Sequence, residues 1–463
     1  MSTLLLLAAL TPTALAEGSD VLPGITLEAE TVLGVDILDA SVERIRWEGR
    51  GPVELTAPDG SARGPLVAGD TFTPDLDGTW RVRPTQDQLI DWDLDVIDPV
   101  SPGGRVFSEN WQLNARFYDE RGAWGGTLYV RALDAAVGLD SVVAVRMDGW
   151  AGHRWSFLAN ATGPIGAPTS GSVSTRDASA APQHRIYLNP PTAAAHTAPT
   201  PVLNGASYER DASGTGGTFS IDAGTAGVAH IACDTDGDGV GDPAGGTDLA
   251  FAEEVAPGVT EIDWDGAGPD GLRLEGGLPE CTVWLASGEV HMLAVDIETA
   301  WPGLQLHQAD ASGALSPLVM RWNDAAVAET AAASPDGVVG ALASGADGVA
   351  SGDPASPITA GDGSRSWGNF TETSRGNIAV LDTWAWLEAD SLTLPPVPED
   401  VEDDPEDTGP DEEPETEEEE PKEDTPVYDA GFYGGACSAT AAPVGALGAL
   451  GLAMVGLARR RRS

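Results

Sequence analysis

The chain has 463 residues, 73 acidic against 24 basic side chains, and a formal net charge of −49. Such an excess of negative charge repels phosphates and anionic lipid, which excludes nucleic acid and acidic membrane surfaces as principal ligands. The apolar content of 41% is enough for buried cores, and 57 glycines with 34 prolines and no long helical periodicity point to a turn-rich, mainly β chain.

Residues 1–16 read as a secretory leader: a short apolar run from Leu4 to Leu10, then the small-x-small signature Ala14-Leu15-Ala16. No Lys or Arg precedes the run, which departs from the usual leader pattern. The mature chain is expected to begin near Glu17. Residues 17–99 then show short alternating segments, Ile45-Arg46-Trp47, Val53-Glu54-Leu55 and Trp80-Arg81-Val82-Arg83, separated by Pro58-Asp59-Gly60 and Asp77-Gly78 turns. That spacing predicts a small β-sandwich. Residues 100–199 carry further strand candidates: Trp111–Phe117, Thr127–Val130, Val142–Val145, Trp155–Leu158 and Arg185–Leu188. They are read as a second sandwich, closed by the Pro190-Pro191 stretch.

Residues 200–310 are the most informative. Two cysteines, Cys233 and Cys281, lie here, and Cys437 lies far away in the tail; in an oxidising compartment the first two are expected to pair. Asp234-Thr235-Asp236-Gly237-Asp238-Gly239-Val240-Gly241-Asp242 sets carboxylates at alternate positions of a tight turn. Asp234, Asp236, Asp238 and Asp242 would thus converge on one point, an all-oxygen set suited to Ca²⁺. The motif resembles one thrombospondin type-3 unit. It is not an EF-hand, because the twelfth loop position is Gly245 rather than Glu. An Asp/Gly-rich hairpin turn without metal fits the same residues. Downstream, Thr260–Gly266 ends in Trp-Asp-Gly, and Asp270-Gly271, Gly276-Gly277 and Cys281-Thr282-Val283-Trp284 follow. This order resembles the Ig-like domain of flagellar hook-capping proteins, departing from it at Pro279-Glu280-Cys281. The resemblance implies an Ig-like β-sandwich and no activity.

Residues 311–394 read as a β-rich region with a long Ala/Gly/Ser/Asp-rich loop between about 325 and 363. Residues 395–430 form an acidic linker. Between Glu399 and Asp424 it has seventeen acids and one Lys, cannot bury enough apolar surface to fold, and is expected to be a disordered, extended stalk. In residues 431–463, the uncharged Ala439–Ala458 stretch is long enough for a single transmembrane helix, and Arg459–Arg462 place its far end in the cytoplasm. Gly434, Gly435 and Cys437 precede this span. Together these residues resemble the myxobacterial C-terminal sorting signal (MYXO-CTERM). The resemblance implies a sorting protease that cuts near Cys437 and transfer of the protein to the outer surface. A permanent, uncut anchor is the other reading.

No G-x-S-x-G, H-E-x-x-H or phosphate-cradling loop is present, so no catalytic residue is assigned. Glu289-Val290-His291 and Asp296-Ile297-Glu298 read as solvated strand faces rather than as an acid–base pair. Trp47, Trp80, Trp155, Trp264, Trp322 and Trp384 read as core anchors rather than a sugar platform. The expectation is tandem Ig-like β-sandwich modules, a stalk and a C-terminal helix on the cell envelope, anchored first in the inner membrane. The function expected is structural or adhesive and non-enzymatic, with a cell-surface polysaccharide or protein as partner. The alternative is a carbohydrate-binding protein or carbohydrate-active enzyme on the same stalk.

Overall fold

The computed structural model describes residues 17–398, except 87–90, 98–101, 116–122, 166–173, 177–178, 193, 213, 215, 240, 242–247, 275–276, 325–326, 328–347 and 368–377. The leader, the stalk, and the tail with Gly434, Gly435 and Cys437 lie outside the described residues. The architecture is mainly β, in several sheets, as the composition implied. Among the described residues no helix is long and apolar enough to cross a membrane.

The first body is two facing sheets. One sets Arg44–Gly49 between Thr71–Phe72 and Trp92–Ile97. The other carries Leu33–Ile37, Gly78–Pro84, Val53–Thr56 and Ala62–Leu66 in that order, and runs on from Leu33–Ile37 through Val106–Ser108 into the sheet and core of the second body. Period-two alternation decides which side chains enter the core: along Gly78–Pro84, Trp80, Val82 and Pro84 are buried and Arg81 and Arg83 exposed. The buried tryptophans keep their indole donors satisfied, Trp47 Nε1 to Gly51 O at 2.8 Å and Trp80 Nε1 to Leu76 O at 3.1 Å. The Pro58-Asp59-Gly60 turn forms as expected, with Gly60 at φ 82° and the Asp59 carboxylate accepting from Ser61 N at 2.9 Å.

The second body is organised by one strand, Leu139–Asn160, where the sequence pattern suggested two. Its first half lies between Trp124–Asp134 and Thr299–Ala309; its second half lies between Asn110–Ala115 and Val290–Val295. The strand therefore changes sheet midway. The bend falls at Gly149, at φ 69°, where a Cβ would lie 1.5 Å from Trp301 O. Only glycine permits both the dihedral and the approach. Next to it Trp150 fills the space between the layers, its ring 5.9 Å from Trp155, 5.7 Å from Phe157 and 5.5 Å from Trp367.

The third body sets a three-stranded sheet, Leu203–Arg210, Gly217–Ala223 and Gly258–Trp264, with a four-stranded one: Leu249–Val255, Gly227–Cys233, Cys281–Ser287 and Glu388–Leu394. Phe219, Ile221, Ile231, Val283 and Leu285 form its core. The chain does not pass through the bodies in sequence. It leaves the third at the Ser287–Val290 turn and adds Val290–Val295 and Thr299–Ala309 to the second. It then returns at Leu387 to supply the last strand of the third, paired with Cys281–Ser287. Strand membership thus cuts across the segment bounds at 310 and 311 expected from the sequence.

Candidate functional site

Two constellations stand out, one at the surface and one sealed inside. The first follows Cys233, which pairs directly across the strands with Cys281 and is disulfide-bonded to it. Closing that loop, with a sequence separation of 48, stabilises the fold by roughly 4 kcal/mol in the chain-entropy treatment. The bridge also fixes the root of the acidic loop, and Asp234 N donates to Glu280 O at 3.0 Å beside it. The Asp234 carboxylate accepts from Gly237 N at 2.7 Å and Gly239 N at 2.9 Å, drawing the loop into a tight curl. Gly237 and Gly239 supply the left-handed dihedrals, φ 79° and 93°, that this curl demands.

Asp234 and Asp236 come together as the motif suggested, but their third partner is Asp248. The three place one carboxylate oxygen each within 4.8 Å of one another. Asp238 stands exposed, and Asp242 lies outside the described residues. Asp248 is buried and accepts from Thr235 N at 2.8 Å, so it braces the loop as well as facing it. No spacing rule in the chain singles out Asp248. It was legible only as the polar residue heading the strand Leu249–Val255, which pairs with the strand leading into the loop. The set is all oxygen, as a hard divalent cation requires. A shallow cleft of about 300 Å³, lined by Thr235, Leu278, Pro279, Pro396 and Pro398, adjoins the loop.

The second constellation was missed. Glu289-Val290-His291, expected to face solvent, is buried on both sides, because Val290–Val295 is an interior strand. One of its faces carries Val290, Met292 and Ala294 into the main core, and the other turns inward too. His230 Nε2 lies 3.1 Å from Glu289 Oε2; Glu289 Oε1 lies 2.9 Å from His291 Nε2; His291 Nδ1 lies 2.8 Å from Asp382 Oδ2. The row spans three strands and both bodies: His230 from the third, His291 and Asp382 from the second, with Glu289 in the turn that joins them. Asp382 is held from behind: its backbone N–H donates to Ser174 Oγ at 3.1 Å, and its carbonyl accepts from the buried Arg365 guanidinium.

Both ring nitrogens of His291 face carboxylate oxygens, and carboxylates only accept. Both nitrogens must therefore donate, which makes the ring an imidazolium. Burial alone would lower its pKa, but the Asp382 and Glu289 carboxylates override that and hold it far above the usual imidazole range. Burial would likewise raise Glu289, and the two histidines instead push it well below the usual carboxylate range. His184, buried, falls to about 4, first through desolvation and then through the positive charge of His291.

What this row can do is limited by access. Asp382 has 0% and His291 2% of its side chain exposed. Proton transfer to a substrate requires hydrogen-bond reach, which a sealed row does not offer. Nor do its ligand atoms converge: among the described residues only Asp234, Asp236 and Asp248 place three potential metal donors within 4.8 Å. The row ties a strand of the third body to two strands of the second through two histidines and two carboxylates. Of the strand tryptophans, Trp47, Trp80, Trp155, Trp322 and Trp384 are buried, and Trp264 is half-buried.

The chain matches no protein-family model, no curated protein and no solved structure at a significant level.

Proposed function

We propose that this chain is an exported cell-surface protein with a structural or adhesive, non-catalytic role. In this reading the leader is removed near Glu17, and residues 395–430 act as a stalk. The C-terminal segment first anchors the protein in the inner membrane with its Arg cluster in the cytoplasm. A sorting protease then cuts near Cys437 and the β-bodies are displayed outside the cell. The observation that carries the reading is the order of parts: interlocked, disulfide-bonded β-bodies end at Val397–Pro398, and the acidic Pro-rich run begins at Glu399. A disulfide between Cys233 and Cys281 supports an oxidising destination. The three-on-four strand order of the third body fits an Ig-like sandwich. The burial of most strand tryptophans counts against an aromatic sugar platform. Binding in such a molecule falls to the loops at the sandwich ends, with Ca²⁺ held by Asp234, Asp236 and Asp248 as the stiffening ion and a cell-surface polysaccharide or protein as partner.

The test is the intact mass of the protein recovered from envelope fractions. Loss of everything beyond Cys437 supports sorting, whereas retention of Arg459–Arg462 in a membrane fraction supports a permanent anchor. Recovery of the uncut chain from the cytosol overturns the reading.

A further inference from the structure

The residues around Glu17 carry an inference that rests on the export reading and goes beyond it. Glu17 is not a frayed end. It is 1% exposed, and its carboxylate accepts from Arg105 N at 3.0 Å and from Val106 N at 3.3 Å, with the Asn189 side chain adding a further hydrogen bond. Its carbonyl accepts from Leu94 N at 3.3 Å, and Ser19 N donates to Trp92 O at 2.8 Å. Gly18 thereby pairs antiparallel with Asp93. The register sets the faces. Glu17 lies opposite Leu94, which points into the core, while Gly18 shares the other face with Asp93 and Asp95. The approach is close: a Cβ on Gly18 would lie 2.2 Å from Trp92 O and 2.4 Å from Asp93 Oδ1.

That face carries more acids than the one base beside them can answer. Asp93 Oδ1 is buried and has no hydrogen-bond partner. Asp20, Glu48 and Asp95 add their charges around Asp93, and Asp95 adds its charge to Glu17. Arg46 answers from the neighbouring strand, paired with Asp95 and Glu48. The Arg105 guanidinium is turned away, to Glu43 and the Asp36 carbonyl. The acids accordingly hold their protons too tightly. Burial raises Glu17 to about 7, and burial with Asp20, Asp95 and Glu48 raises Asp93 to about 6. A positive charge at the start of the mature chain would relieve both.

We propose that the mature amino terminus is a built part of the first sandwich, created by a cut immediately before Glu17 and held by Asp93 and Asp95. Water adds across the Ala16–Glu17 amide under a leader peptidase, leaving a carboxylate on Ala16 and an α-ammonium group on Glu17. The new cation stands one residue before Gly18, whose bridge to Asp93 brings the acidic face close. The register is strict in one direction. A cut after Glu17 removes a core side chain and leaves Arg105 N and Val106 N without their acceptor, which the fold does not tolerate cheaply.

The experiment compares two full-length chains in detergent. One begins at Glu17 with a free amine; the other carries Gly-Ser before Glu17. At pH 7 the extended chain is expected to melt a few degrees lower. The gap should close at about pH 10, above the α-amino pKa of roughly 8. It should also close in the Asp93→Asn/Asp95→Asn background. Equal melting temperatures at pH 7, or a gap that persists in that background, overturns the inference. Amino-terminal sequencing of the exported protein separates this from the reading beneath it. A start at Glu17 supports both, and a start at Gly18 or later overturns the terminus while leaving export intact. Retention of residues 1–16 overturns export and the terminus together, whereas equal melting temperatures with a start at Glu17 overturn only the hold by Asp93 and Asp95.

Discussion

At the scale of single residues, Asp382 carries the largest expected effect. It fixes a buried imidazolium, and removing one partner of a sealed ion pair leaves the other uncompensated. Asp382→Asn is expected to cost about 3–5 kcal/mol, read as a shift of the urea midpoint. Simultaneous replacement of His230, Glu289, His291 and Asp382 by apolar residues should cost less than the single change, because it leaves no orphaned charge. The pH dependence follows from the directions of the shifts. His291 is raised, so its contribution is complete below the ordinary imidazole value and is lost only as pH rises through its elevated one. Glu289 is depressed, so its contribution is present above the ordinary carboxylate value and lost as pH falls through the depressed one. Between these limits neither the His291 nor the Glu289 contribution changes with pH. His184 is the exception: a base lowered from 6.5 to about 4 withdraws stability across that interval as the medium is acidified. His184→Leu should flatten the acid limb of a stability–pH profile between pH 6.5 and 4, and an unchanged limb would refute the assignment. None of this was legible in the sequence. Alternation at Glu289-Val290-His291 says which residues share a face, and only the tertiary position of the strand says that this face is covered.

At the scale of elements, local chemistry was legible and partnership was not. Trp80-Arg81-Val82-Arg83 sorted its side chains by period two and formed the strand expected, and the Asp59-Gly60 turn followed from residues that bend a chain in a known way. The pairing of Cys233 with Cys281 was likewise open to arithmetic, since two of three cysteines lay in one folded segment. The Leu139–Asn160 strand was read as two, Val142–Val145 and Trp155–Leu158, because apolar runs mark only its ends; tertiary pairing on both sides keeps the glycine-containing centre extended and merely bends it. Asp248 escaped for a similar reason, being brought to the loop by strand pairing rather than by spacing. The bend gives a sharp test. Gly149→Val introduces both a left-handed β-branched residue and a collision with Trp301 O, and should cost at least about 2 kcal/mol by urea denaturation. Gly138 has a similar φ, 73°, but open space around it, so Gly138→Ala should cost clearly less. At the acidic loop, titration calorimetry with Ca²⁺ should lose its heat in Asp248→Ala as fully as in Asp236→Ala. Retained heat in Asp248→Ala alone would return the site to the sequence motif.

At the scale of the whole molecule, the route of the chain matters more than any single contact. The third body is completed by Glu388–Leu394, which reaches it only after the chain has supplied Val290–Val295, Thr299–Ala309 and Val380–Ala385 to the second. Neither body is therefore completed by one continuous stretch, and the ion row from His230 to Asp382 crosses the joint where the chain changes body. Two sandwiches strung as separate beads would melt independently, each with its own enthalpy. Interlocked ones should not, because unfolding the second body pulls away the last strand of the third. Differential scanning calorimetry of the intact chain is expected to show one transition for these two bodies, with calorimetric and van't Hoff enthalpies in agreement. Reduction of Cys233–Cys281 should lower that transition as a whole, by the equivalent of roughly 4 kcal/mol, instead of splitting off a separate peak. Asp382→Asn should lower it too, and a split that appears only in this variant would mean that the ion row, and not the shared strand, couples the cores. Two peaks in the unmodified, oxidised protein would mean that the excursion of the chain is a mere linker between independent folds.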